Sequence, residues 1–200
     1  MKELRTTRGH GLLETFLSKK RTAMANRLIP AGHRTGRLLD IGCGTHPFFL
    51  THTDFSEKHG LDKIVQSANE ISNPGLRLQT YDVETGGALP YPDNHFSVVT
   101  MLAVFEHIDQ PKLVPLLQDI KRVLQPGGLL VMTTPAGWAD GLIHFLAKIN
   151  LLSHEEIHEH KDKYSHKKIA EFLTAAGFAE TKLRFGHFEC WLNLWATATK

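Results

Sequence analysis

Residues 36–50 read GRLLDIGCGTHPFFL, and this stretch decides the fold. A short apolar run carrying an acid, Arg37–Ile41, is followed by two glycines one residue apart, a proline and two phenylalanines. The run is too continuously apolar for a half-exposed edge, so it reads as a buried strand of a parallel sheet. Gly42 and Gly44 lack Cβ, can take positive φ, and let the backbone approach a ligand closely. In a parallel sheet, ligands sit beyond the C-terminal strand ends where the strand order reverses. A loop that grips a pyrophosphate would read G-x-G-x-x-G. Here the sixth place is Pro47, which suits the first turn of a helix and disfavours a dinucleotide. Asp40, just ahead of the glycines, is badly placed for a diphosphate and well placed for a cationic ammonium group.

Working outward, the periodicity alternates between helix and strand. Residues 12–29 read as a helix with Leu12, Leu13, Phe16, Leu17, Met24 and Leu28 on one face. Residues 76–81 alternate like a strand, and 96–101 form a β-branched run. Leu113, Leu116, Leu117, Ile120, Val123 and Leu124 make a helical stripe stopped by QPGG, and 129–134 read as another buried strand. Ser165 caps a helix bearing Ile169, Phe172, Leu173 and Ala176, with Gly177 closing it. Strands are expected at 179–185 and 189–199. Short apolar strands between amphipathic helices define an α/β fold with a mostly parallel sheet.

A chain of 200 residues suits one domain with a sizeable core. We divide it into a basic helical extension (1–35), a cofactor-binding half (36–134), an acceptor-covering segment (135–164) and a C-terminal helix with strands (165–200). The two cysteines, Cys43 and Cys190, match no zinc or redox spacing. No apolar run approaches the roughly 18 residues of a membrane helix, and the chain reads as cytosolic. The net charge of +2 hides an asymmetry: residues 1–37 hold nine Lys/Arg against two Asp/Glu, and the remainder fourteen against nineteen. A basic leader suits an anionic substrate, RNA or a lipid surface; it also suits a solvated helix.

Two further acids follow at strand-end spacing. Asp62, in HGLDKI, lies 22 residues after Asp40, about where a carboxylate reaches ribose hydroxyls. Asp82, in LQTYDVE, closes the next strand, where it can accept a hydrogen bond from an adenine amino group. Each alone is an ordinary turn former; three at successive strand ends point to a nucleoside.

The ordered set LLDIGCGT, GLD, YDVE, LPYPDNHFSVVTMLAVFEHI and IKRVLQPGGLLVMTTP resembles class I S-adenosylmethionine-dependent methyltransferases, nearest the small-molecule branch that includes the ubiquinone-biosynthesis enzymes. It covers residues 36–186. The resemblance implies a Rossmann-like seven-stranded sheet of order 3-2-1-4-5-7-6, helices on both faces and the last strand antiparallel. It implies S-adenosylmethionine as cofactor, with Asp40 and the backbone of Gly42, Cys43 and Gly44 at its methionine end. Asp62 then takes the ribose, Asp82 and Val83 the adenine, and Met101 and Leu102, just after the fourth strand, flank the methionine. Two departures stand out: His46 where many members have a third glycine, and Phe96-Ser97 where many have Phe-Asp.

Methyl transfer from a sulfonium needs alignment and desolvation, with a base only where the acceptor must lose a proton. His107, after the fourth strand, is one candidate base, or packs against the cofactor loop. His160, ahead of the Ser165-capped helix and beside Tyr164, is the second. His154 and His158 share a helical spacing, but no cysteine joins them and no metal is expected. No Pro-Cys nucleophile or Asn/Asp-Pro-Pro-aromatic run is present, which argues against nucleic-acid bases. The expected acceptor is a small molecule, a sugar or a lipid-linked compound, with peripheral membrane contact left open. Two other readings remain: a non-catalytic cofactor-binding module docking through its basic N-terminal helix, and an oxidoreductase, disfavoured by Pro47.

Overall fold

The computed structural model describes residues 12–64, 75–137 and 164–200. Its strands are β1 (Arg37–Ile41), β2 (Glu57–Asp62), β3 (Leu76–Thr80), β4 (Phe96–Leu102), β5 (Leu124–Pro135), β6 (Leu183–Phe188) and β7 (Asn193–Thr199). They form one sheet of order β3-β2-β1-β4-β5-β7-β6, as expected, with β7 antiparallel to both neighbours. The helices are α1 (Leu12–Leu28), α2 (Phe48–Thr51), α3 (Gln110–Val123) and α4 (His166–Ala175).

Alternation along the strands sorts the core onto two faces. Leu39, Ile41, Val99, Met101, Leu130 and Met132 share a cluster with Leu113, Leu117 and Ile120 of α3 and Ile169 and Leu173 of α4. Leu38, Val98, Leu129 and Val131 meet Ala25 of α1 and Phe49 and Leu50 of α2 on the other side. The Ser165 hydroxyl accepts the Lys168 N–H at 3.3 Å, as the sequence predicts. At the far end Gly177, at φ 88, donates to Thr174 O and Phe178 to Leu173 O. This bond pair closes a helix through a left-handed residue.

Four expectations need correction. The buried face of α1 is Thr22, Ala25 and Ile29 just beyond it, while Phe16 is exposed. Leu28, half-buried, packs against the same cluster as Ala25. The QPGG stretch is no break between helix and strand. β5 starts at Leu124, and a register shift lets Phe96 pair with Leu124 and Val98 with Leu129, so residues 125–128 bulge from the strand with Gly127 at φ 77. Residues 180–182 form a 3-10 turn where a strand was expected. Residues 189–191 are a left-handed turn, φ 52, 53 and 64, so the last strand starts only at Asn193.

Ser97, the departure noted at the fourth strand, has a structural duty. Its hydroxyl lies 2.8 Å from His33 O and 2.9 Å from Arg37 O. A Cβ on Gly36 would stand 2.4 Å from that oxygen, so Gly36 admits the contact that ties the entry of β1 to β4.

Candidate active site

The site is built at the C-terminal ends of β1, β2 and β4. Gly42 and Gly44 take φ 73 and 71, which only glycine adopts without strain. Gly42 and Cys43 both donate to Leu61 O, at 2.7 and 3.2 Å, which folds the loop back over the end of β2. A Cβ on Gly42 would stand 2.3 Å from Val104 Cγ2, so the exit of β4 lies directly against the loop. Pro47 caps α2, a helix of four residues, rather than occupying its first turn.

Asp40 is buried and accepts the Thr100 hydroxyl at 2.6 Å. It lines a small open cavity with Gly42, Cys43, Phe49, Leu102 and, from α1, Ser18, Arg21 and Thr22. Asp40 and Arg21 give the wall one acid and one base, so a positive end of a bound group suits Asp40 and a negative end suits Arg21. An amino acid moiety carries both. Arg21 was missed by the sequence reading; nothing in the helix periodicity distinguishes it from the neighbouring lysines.

Asp62 ends β2 with its carboxylate engaged by backbone: Gly44 N–H donates to Oδ2 at 2.7 Å and Ile64 N–H to Oδ1 at 3.1 Å. A carboxylate offers about four acceptor sites, so it can still receive a ligand hydroxyl. Asp82 lies two residues past β3; Glu84 N–H donates to its Oδ1 at 2.9 Å, and Lys63 Nζ lies 3.9 Å from the same atom. Val83, half-buried, packs against the α3-side core.

Glu84 is a second residue the sequence reading passed over. Its side chain is buried; Oε1 accepts the Asp109 N–H at 3.0 Å and Oε2 pairs with Lys63 Nζ at 3.2 Å. It ties the turn after β3 to the start of α3 and the end of β2. The signal available was only the last letter of YDVE.

Met101 and Leu102 lie inside β4, not after it, and they part company. Met101 is fully buried in the α3-side core, whereas Leu102 lines the cavity. His107 is half-buried in a 3-10 turn, Phe105–His107, three residues beyond the Val104 that abuts Gly42. Beside it Glu106 is buried and accepts the Thr134 hydroxyl at 2.9 Å, joining the exits of β4 and β5. Ala103, at φ 57, makes the left-handed step between strand and turn, its N–H on Thr133 O at 2.9 Å. His160, the histidines at 154 and 158, and residues 138–163 of the expected acceptor segment lie outside the described residues, as do residues 1–11. Among the described residues no group of three metal-ligating side chains occurs, and no helix is long and apolar enough to cross a membrane.

With this geometry in place, comparison with known proteins gives the class. The methyltransferase-domain family matches residues 13–183, and the chain belongs to it, within the class I S-adenosylmethionine-dependent methyltransferases. A protein of Aspergillus luteorubrus named a probable methyltransferase is 27% identical over 132 residues, 59% of this chain and 46% of its own. An uncharacterized methyltransferase of Schizosaccharomyces pombe is 30% identical over 113 residues, 48% and 38% of the two chains. The chain thus spans less than half the length of these relatives. Among solved structures, a Haloferax volcanii methyltransferase bound to the Trm112 activator superposes with TM-score 0.70 at 16% identity, over 93% of this chain and 92% of that one. A Thermotoga maritima S-adenosylmethionine-dependent methyltransferase, described as a possible histamine N-methyltransferase, gives 0.68 at 18%, over 93% and 90%. These likenesses are of fold.

Proposed function

We propose that this protein transfers the methyl group of S-adenosylmethionine to a small-molecule, sugar or lipid-linked acceptor. The observation that carries the reading is the cavity in which buried Asp40, Arg21 and the positive-φ glycine turn meet, with Asp62 and Asp82 following at the next two strand ends. Asp40 receives the methionine ammonium and Arg21 its carboxylate; Leu102 packs beside the chain. Asp62, held by Gly44 and Ile64 N–H groups, receives the ribose hydroxyls, and Asp82 with Val83 the adenine edge. Held there, S-adenosylmethionine would supply an activated methyl group, which an acceptor oxygen, nitrogen or carbon would take in line as the carbon–sulfur bond breaks and its electron pair stays on sulfur, leaving S-adenosylhomocysteine. The protein supplies alignment and a dry site. His107 is the candidate base where the acceptor carries a proton to lose, and His160 the second. The segment 135–164 covers the acceptor, in a single domain whose first 35 residues are an extension.

Calorimetric titration tests the reading. S-adenosylhomocysteine should bind and NADH should not. Asp62→Asn should weaken S-adenosylhomocysteine roughly 10- to 100-fold, since a hydrogen bond to a charged group contributes about 1.5–3 kcal/mol. Binding of NADH with no response to S-adenosylhomocysteine would return the chain to the oxidoreductase reading. Cofactor binding without methylation of any acceptor class would favour the non-catalytic module.

A further inference from the structure

Asp40 belongs to a row of residues that crosses the sheet, and its two neighbours in that row differ in kind. On β2 the neighbour is Gly60; on β4 it is Thr100. A Cβ on Gly60 would stand 2.8 Å from both Cys43 Sγ and Leu50 Cδ1, so side chains of the glycine loop and α2 already fill that flank. Thr100 fills the other flank and brings a hydroxyl. Residues in register on parallel neighbours project to one face. Thr100 therefore points with Asp40 toward the α1 side of the sheet, as Val98 and Leu102 of the same strand do.

Thr100 is fully buried. Its Oγ1 lies 2.6 Å from Asp40 Oδ1 and 3.4 Å from Leu39 O. A hydroxyl has a single proton to donate, and the shorter contact assigns it to the carboxylate. That length is typical of a hydroxyl on a charged oxygen. A β-branched side chain has few choices of χ1, and Val131 of β5 stands next in the row. The hydroxyl thus has little freedom to turn away.

We infer that Thr100 is a positioning residue for the cofactor, whose hydroxyl pins one Asp40 oxygen to the sheet and so makes the site answer to ligands that carry an ammonium group. The inference rests on the reading of Asp40 as receiver of the methionine ammonium. Thr100 acts through Asp40 and not on the ligand. Its hydroxyl is one of the donors that let a buried carboxylate keep its charge. A carboxylate already held in place also has less freedom to lose when the ammonium arrives. The nucleoside end is held independently: Asp62 is fixed by Gly44 and Ile64 N–H groups and Asp82 by that of Glu84, with no atom of Thr100 involved.

Calorimetry with S-adenosylhomocysteine and with 5′-methylthioadenosine, a similar thionucleoside without the amino acid, tests it. Thr100→Val, close in shape but lacking the hydroxyl, should bind S-adenosylhomocysteine about tenfold or more weakly and change 5′-methylthioadenosine binding by less than about twofold. Thr100→Ser keeps the hydroxyl and should stay within about threefold of wild type for both ligands. In an Asp40→Asn background, Thr100→Val should cost no further affinity, because residues acting as one unit are not additive. Should Thr100→Val not fold, Thr100→Cys, a weak donor of similar volume, should show the same selective loss. Equal losses for the two ligands, unchanged S-adenosylhomocysteine affinity in the folded variant, a Thr100→Ser loss as large as that of Thr100→Val, or additive losses with Asp40→Asn would each overturn this inference alone. Wild-type protein indifferent to S-adenosylhomocysteine would overturn the methyl-transfer reading and this inference together.

Discussion

Gly42 carries two burdens at once. Its φ of 73 excludes side chains on backbone grounds, and Val104 occupies the space a Cβ would need. Gly42→Ala should destabilise the fold by about 2–5 kcal/mol, from overpacking and left-handed backbone together. Adding Val104→Ala should return only the steric share. Urea unfolding of the single and double variants separates the two, and full recovery in the double variant would show that the backbone contributes nothing. The glycine turn was legible because glycine and acid spacing is written in consecutive letters. Arg21 was illegible, since its approach to Asp40 depends on how a helix 19 residues upstream lies on the sheet. Met101 misled for a related reason: adjacent strand residues point to opposite faces, and a one-residue error in the strand end exchanges cavity for core.

Among the elements, the turn after β3 depends on its clamp. Glu84 receives Asp109 N–H and Lys63, and Lys63 also leans on Asp82. Glu84→Ala leaves the Asp109 N–H at the start of α3 short of an acceptor and frees the Asp82 turn. S-adenosylhomocysteine and adenosine should both bind at least about tenfold more weakly, as for loss of a charge-assisted bond, with Glu84→Gln intermediate. A loss confined to S-adenosylhomocysteine would place the clamp's effect at the methionine end instead. At this scale the sequence told existence and type of the strands and long helices well, because periodicity reports burial. It misjudged residues 124–128 and 179–192, where a bulge and a left-handed turn follow from partners distant in the chain.

For the molecule as a whole, acid sensitivity has a definable source. His59 is buried against Tyr91, His95 and Phe96 and bonds Glu57 at 3.0 Å. Burial pushes its pKa down; the Glu57 bond opposes this in part, and Arg77 and Arg37 add to it. Burial lowers His95 as well, and raises the Tyr91 phenol to about 12. A histidine depressed in the folded state binds its proton more readily when unfolded, so stability falls as pH drops through about 6.5 and levels off below the folded value. Glu57, held down chiefly by Arg37 and then by His59, extends the loss below pH 4.5. Glu189, raised by burial, acts in the opposite sense. Melting temperature should therefore decline from pH 7 to pH 5, and His59→Gln should flatten that decline. An unchanged slope in the variant would move the source elsewhere.

The antiparallel insertion of β7 between β5 and β6 also has a consequence for biosynthesis. The Leu129–Thr134 edge of β5 finds its partner only in residues 194–199, so a nascent chain carries an open, apolar strand edge until those residues have been made. At about 5–20 residues per second, that exposure lasts seconds. Unpaired edges of this kind invite pairing with other chains. Ribosome-bound chains stalled at residue 190 should be held by chaperones or aggregate on release, and chains extended through residue 200 should not; equal solubility of the two would mean that the edge is shielded before its partner arrives.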